Sequence, residues 1–296
     1  MRIVSLVPHA TELLFALGLG DSVVGVSHEC DFPDDVRTLP RLTRALIEDG
    51  LPAAEVDAQV RERSERGEAL YALDEELLHE LEPDLIVTQA LCGVCAIRHE
   101  DVEAVAQQLT QPATVIALAP TTFGETMGDI RTLASATGAR AQALDLVARQ
   151  RERVDRIKIA VRGTQPIATI ALEWLDPVFT AGHWTPQLIE LAGGLDLCGF
   201  AGEPSERTDW EHLASLAPEV VVVMPCGLSA AEALEEAERH ADELRSLGAR
   251  RIVCVDAGAT FSRPGPRLVD GLETLAHILH PELVRVPASS VLQAEL

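Results

Sequence analysis

The chain has 296 residues, 47% hydrophobic and 24% charged, which suits one large or two medium globular domains rather than a disordered chain. Its formal net charge is −23. That argues against nucleic acid and anionic membranes, because both are bound largely through cationic groups on phosphates. No stretch reaches the roughly 18 to 20 apolar residues that a spanning helix needs.

Met1-Arg2 leads straight into an apolar strand, Ile3–Val7, with no signal peptide between them. As it stands the sequence is expected to be cytoplasmic; a trimmed chain would be extracytoplasmic or periplasmic. Thr11–Leu19 reads as a helix ended by Gly20, with Thr11 as its cap. That would turn the amides of residues 10 to 13 toward a ligand. Val23–Val26 is a short strand. Thr43–Tyr71 is long, charged and expected to be a helical insertion. Asp74–Leu81, Glu100–Leu109 and Thr122–Ala136 read as helices, alternating with strands Leu85–Thr88 and Thr114–Leu118.

Ala139–Arg162 has apolar residues at Leu144, Val147, Val154, Ile157 and Val161, the spacing of one helix face. Gly138 precedes it and Gly163 follows as a C-cap. Such a helix is roughly 35 Å long. Alternation then restarts: strand Ile167–Leu172, helix Thr185–Leu191, helix Trp210–Leu216, strand Val220–Met224, helix Ala230–Leu247, strand Ile252–Val255 and helix Pro266–Leu279. The expected fold is α/β: two lobes, residues 1–138 and 164–296, each with a parallel sheet, bridged by a helix over 139–163.

In parallel α/β sheets ligands bind beyond the carboxyl ends of the strands. Those loops hold Pro8, His9 and Ala10; His28, Cys30 and Phe32; Gln89 and Cys92; Trp174, Phe179, His183 and Trp184; and Phe261 and Arg263. With only three Trp, one Tyr and six Phe in the chain, aromatics gathered on such loops suggest a ligand surface. Arg263 suits a carboxylate, an amide oxygen or a phosphate, or else pairs with Glu173 or Asp256.

Six cysteines are present. Cys254 in "RIVCVD" reads as a buried small hydrophobe. "CGVC" at Cys92–Cys95 has the strand-to-helix placement of a redox pair, in which the helix N-terminus lowers a thiol pKa. Together with His28 and Cys30, Cys92 and Cys95 also form a candidate metal set. Buried or loop-lining free thiols are the plainer alternative. No Ser-His-Asp order, phosphate loop or HExxH helix occurs, so the chain is expected not to be an enzyme and to carry no catalytic cofactor.

"RIVSLVPHATELLFALGLGDSVVGVSHECDFP", "LEPDLIVTQ", "PVFTAGHWTPQLIELAGG" and "DAGATFSRPGPRLVDGLETLAHILHP" span nearly the whole chain. On these stretches it resembles the substrate-binding proteins of ABC importers for vitamin B12 and iron chelates, in their cobalamin-binding branch. The resemblance implies two Rossmann-like lobes joined by one rigid helix, with the ligand in a cleft between them. It implies binding without catalysis, cobalamin or another corrinoid as ligand, a monomer, and ABC-importer membrane subunits as partners. The loops at Pro8–Thr11, His28–Phe32, Gln89–Cys95, Trp174–Trp184 and Ala257–Arg263 would face the corrinoid. Apart from the resemblance, imidazole and thiolate are cobalt-ligand chemistry, which makes His28, His183, Cys30 and Cys92 candidates to reach the metal, with hydrogen-bonding histidines as the plainer alternative. Alternatives are a ferric-chelate, haem or metal-ion binding protein, and a thiol or metal enzyme using Cys92 and Cys95. Family members carry a signal peptide or lipid anchor and a more compact link than Thr43–Tyr71. Both are departures here.

Overall fold

The computed structural model describes residues 1–48, 50–90, 97, 99–285 and 294–295. It divides into two compact units, Met1–Pro120 with Met127–Leu146, and Thr121–Thr126 with Val147–Leu296.

In the first unit the chain runs β1 (Ile3–Ser5), α1 (Pro8–Ala16), β2 (Val23–Val26), β3 (Thr43–Ala45), α2 (Ala53–Glu65), β4 (Tyr71–Leu73), α3 (Glu75–Leu81), β5 (Leu85–Gln89), α4 (His99–Ala106) and β6 (Thr114–Leu118). The main sheet is parallel throughout, in the order β2-β1-β5-β6. All of β1 and β5 is buried, as expected of parallel strands covered on both faces. Val4, Leu6, Ile86, Leu78 and Val102 form the centre of one core cluster.

Two expectations for this unit are corrected. Helix α1 begins at Pro8, not Thr11, with Val7 as its N-cap. Proline suits the first helical position, where its missing N–H costs nothing and its fixed φ already fits. Thr11 therefore sits inside the helix, and its amide donates to the Val7 carbonyl at 3.2 Å. The stretch Thr43–Tyr71 is not simply helical: β3 and β4 close it as an antiparallel pair around α2.

Helices α5 (Phe123–Thr137) and α6 (Arg140–Ala160) each contribute residues to both units. Gly138 and Gly163, on either side of α6, have φ of +78° and +83°, a conformation that glycine adopts without a Cβ penalty.

The second unit continues through β7 (Ile167–Leu175), β8 (Val178–Thr180), α7 (Thr185–Leu191), β9 (Gly194–Asp196), β10 (Glu206–Arg207), α8 (Trp210–Ser215), β11 (Val220–Val223), α9 (Ala230–Arg239), α10 (Ala241–Ser246), β12 (Arg251–Cys254), α11 (Ala257–Thr260), α12 (Leu268–Leu279) and β13 (Ala294–Glu295). Its sheet is mixed rather than parallel, in the order β10-β8-β7-β11-β12-β13, with β9 also on β7. The two-residue turn at Asp176-Pro177 sends β8 straight back along β7, and a tight turn permits only antiparallel pairing. The helix expected over Ala230–Leu247 is two helices that meet at His240. Ser229 and Glu232 form a capping box at the start of α9. The four valines of β11 are all buried, and Val221 and Val223 pack with Ile170, Leu172, Leu244 and Ile252.

Arg153 of α6 donates to Glu273 at 2.9 and 2.7 Å and also contacts Asp270, both on α12. These half-buried partners raise its guanidinium pKa still further above its ordinary value, against the opposing effect of burial. Nearby, Gln150 donates to the Pro266 carbonyl at 3.1 Å.

Candidate functional site

In each unit the strand order reverses beside the first strand. β1 lies between β2 and β5, and β7 has β8 and β9 on one side and β11 on the other. The carboxyl ends of such neighbours flank the crevice where open α/β sheets take their ligands.

In the first unit, Gln89 ends β5 and Pro8 follows β1, so the two stand at one switch point. Much of what the sequence assigned here to ligand contact is interior. Ala10 and Thr11 have no exposed surface, and His9, Cys30 and Gln89 are buried. The Thr11 hydroxyl donates to Ser5 Oγ at 2.8 Å and lies 3.1 Å from Cys30 Sγ. The Thr11–Cys30 contact ties α1 to the loop after β2.

That loop is held from outside as well. Arg41 donates to the carbonyls of Ser27 at 2.8 Å and Cys30 at 2.5 Å. Thr43 Oγ1 accepts the His28 amide at 2.9 Å and lies 2.6 Å from His28 Nδ1, while the Tyr71 ring centre is 5.6 Å from the imidazole. Both ends of the β3–β4 pair thus fix His28. Phe32, just beyond, is 45% exposed. Of the candidate metal set, Cys92 and Cys95 lie outside the described residues. Among the described residues, no three His, Cys, Asp or Glu side chains gather as a metal cage.

In the second unit, Trp174 and Phe179 are strand residues, not loop residues. They oppose each other across the β7–β8 pair, each half-buried, and the Trp174 indole donates to the Asp176 carbonyl at 3.1 Å. Next to β11 at the same end, the Cys226 amide donates to the Glu173 carbonyl at 3.0 Å. Glu173 in turn accepts from Ser205 Oγ at 2.5 Å.

The turn at Gly182-His183-Trp184 is the hub of this end. His183 has a left-handed φ of +52°. Its amide donates to the Glu203 carbonyl at 2.6 Å, and its own carbonyl accepts from Gly202 at 2.9 Å. A Cβ on Gly182 would stand 2.5 Å from the Glu203 oxygen and 2.6 Å from the Ser205 nitrogen. Only glycine lets the 203–205 segment lie this close.

Trp184 and Phe261, expected on ligand-facing loops, are interior. They are only 6% and 3% exposed, and the Trp184 indole donates to the Phe261 carbonyl at 2.8 Å. Both rings are buried although neither lies in a strand, so being on a loop does not mean facing solvent. Phe200, to which sequence reasoning assigned no role, is 67% exposed. Its signal was an aromatic in the Gly-rich stretch "CGFAGE", but no predicted strand pointed there.

Two of the described thiols, Cys198 and Cys254, are unreactive by their surroundings. Burial pushes Cys198 up to about 12, helped by the Asp196 charge, and burial likewise pushes Cys254 up to about 12. Neither is a thiolate near neutral pH.

The periplasmic binding protein family model matches residues 3–251. The chain belongs to the periplasmic binding protein family. Its members bind a small molecule and perform no chemistry on it, so this chain is a binding protein, not an enzyme. Curated relatives include an ABC transporter substrate-binding lipoprotein of Bacillus subtilis, 24% identical over 95% of this chain and 80% of its own length. A vitamin B12-binding protein of Yersinia pestis is 25% identical over 75% of this chain and 69% of its own. Among solved structures, a periplasmic heme binding protein of Pseudomonas aeruginosa superposes with a TM-score of 0.73 at 19% identity, covering 99% of this chain and 97% of that one. That likeness confirms the α/β binding-protein fold.

Proposed function

We propose that the chain binds a planar metal-centred tetrapyrrole, cobalamin or a related corrinoid first, and hands it to the membrane subunits of an ABC-type importer. The observation that carries this reading is the Trp174–Phe179 pair, two half-buried aromatic rings opposed across the β7–β8 pair at the sheet end. A flat macrocycle offers such rings an apolar face. Each aromatic brought out of water contributes about 1.5 to 3 kcal/mol, so a few suffice for micromolar binding. Phe32 and His28 in the first unit, and Arg263 in the second, are the other proposed contacts. The ligand named for the Yersinia relative supports the corrinoid. The transporter named for the Bacillus relative supports the importer partner.

Haem is the second reading, favoured by the structural likeness to a heme binding protein. Titration with hydroxocobalamin and, separately, with hemin separates the two. Saturable one-to-one binding of hydroxocobalamin, with shifted corrinoid bands, is expected. Binding of hemin alone replaces the first reading with the second, and binding of neither at tens of micromolar sinks both.

A further inference from the structure

We propose that Phe200 is a ligand-contact residue of the second unit, in the role that the sequence suggested for Trp184 and Phe261; this rests on the tetrapyrrole reading above. Trp184 and Phe261 are committed to the core and to each other. Exposing either ring to a ligand means unpacking the unit. Phe200 is in the opposite condition, with two thirds of its surface in water.

A single exposed hydrophobic residue is ordinary on protein surfaces. Phe200 is set apart by its seat. The loop that carries it is fixed on both sides by backbone contacts in which its own side chain takes no part. The Glu203 amide donates to the Phe200 carbonyl at 3.1 Å. Glu203 and Gly202 then bond the two backbone groups of His183, at 2.6 and 2.9 Å. Gly182 lies flat against residues 203–205, and Gly202, at φ +85°, backs onto Thr122. The loop is therefore locked to the turn that presents His183, and the Phe200 ring projects from a backbone that is already ordered.

An apolar ring on a preordered backbone is what a rigid apolar ligand gains most from, because little loop or rotamer freedom remains to be lost on binding. Two torsions fix a Phe side chain, and its whole face is available for offset stacking on a conjugated macrocycle. A polar or small ligand would leave it exposed. The geometry thus selects for a ligand with an extended apolar face next to His183.

The test is to titrate the parent, Phe200→Ala, Phe200→Trp and Trp174→Ala with hydroxocobalamin and with hemin. Absorption bands report binding, and thermal melts report folding. Phe200→Ala should weaken the ligand that the parent binds by about tenfold or more, with Phe200→Trp restoring it. Its melting temperature should stay within about 2 °C of the parent, since an exposed ring supports little of the core. Unchanged affinity in Phe200→Ala, with Trp174→Ala impaired, overturns the role of Phe200 and leaves the tetrapyrrole reading standing. A parent that binds neither compound overturns the tetrapyrrole reading and this inference with it.

Discussion

The Trp184 indole N–H points at the Phe261 carbonyl, 2.8 Å away, across 77 residues of sequence. This bond ties the turn before α7 to the end of α11. It makes Trp184 a structural residue, so Trp184→Ala should cost about 3 to 5 kcal/mol of stability. Trp184→Phe, which keeps the ring but strands a buried carbonyl, should cost about 1 to 3. Urea unfolding measures both. A loss below about 1 kcal/mol for Trp184→Ala would contradict its burial.

Trp174 should behave in the opposite way. It is half-buried and opposes Phe179 on the β7–β8 pair. Cross-strand aromatic pairs contribute about 0.2 to 1 kcal/mol, so Trp174→Ala should unfold close to the parent in urea. Its defect should appear in the hydroxocobalamin titration. Wild-type affinity in that variant would remove the strand pair from the site.

Gly182→Ala should be poorly tolerated. The added methyl would meet backbone at 2.5 Å on residues 203 and 204, and backbone yields less readily than a side-chain tip. A loss of about 1 to 3 kcal/mol is expected, the usual range for overpacking. A melt indistinguishable from the parent would mean that the 203–205 segment moves aside freely.

Arg153 holds two carboxylates on α12. Arg153→Ala leaves Asp270 and Glu273 side by side without their cation, and about 3 kcal/mol should be lost. Arg153→Lys restores charge but not the two-pronged geometry, so it should fall between parent and alanine in the same unfolding assay.

Asp196 predicts a pH dependence. Burial raises its carboxyl above the usual value, and the donated amides of Cys198 and Gly199 only partly offset this. The native state therefore holds this proton more tightly than the unfolded chain. The group opposes folding at neutral pH, and the penalty fades as pH falls through the raised native value toward 3.8, the ordinary value. Asp196→Asn keeps an acceptor for both amides and removes the titration. Its stability advantage over the parent should be largest at pH 7 and shrink on acidification; an advantage that grows in acid would reverse the assignment.

The alternation of strands and helices was legible because strands buried on both faces read as unbroken apolar runs, as at Val220–Val223. The long helix was legible because Gly138 and Gly163 frame it. Local signals that competed were harder. Thr11 looked like a cap, yet Pro8 three residues earlier set the start of α1. The pairing of β3 with β4 spans nearly thirty residues, a distance over which period and propensity say nothing. At the site, residue type was readable and exposure was not. Trp184 and Phe200 both lie outside strands in aromatic-bearing turns, but only folding decides which one is buried.

Six residues, Thr121–Thr126, belong to the second unit although the chain on both sides of them belongs to the first. Within that unit the Phe123 amide donates to Gln187 at 2.8 Å. The polypeptide therefore crosses the boundary three times, and no single cut frees either half whole. A gene fragment starting at Val147 would encode a unit missing one of its own pieces, so the two halves are a single unit of inheritance.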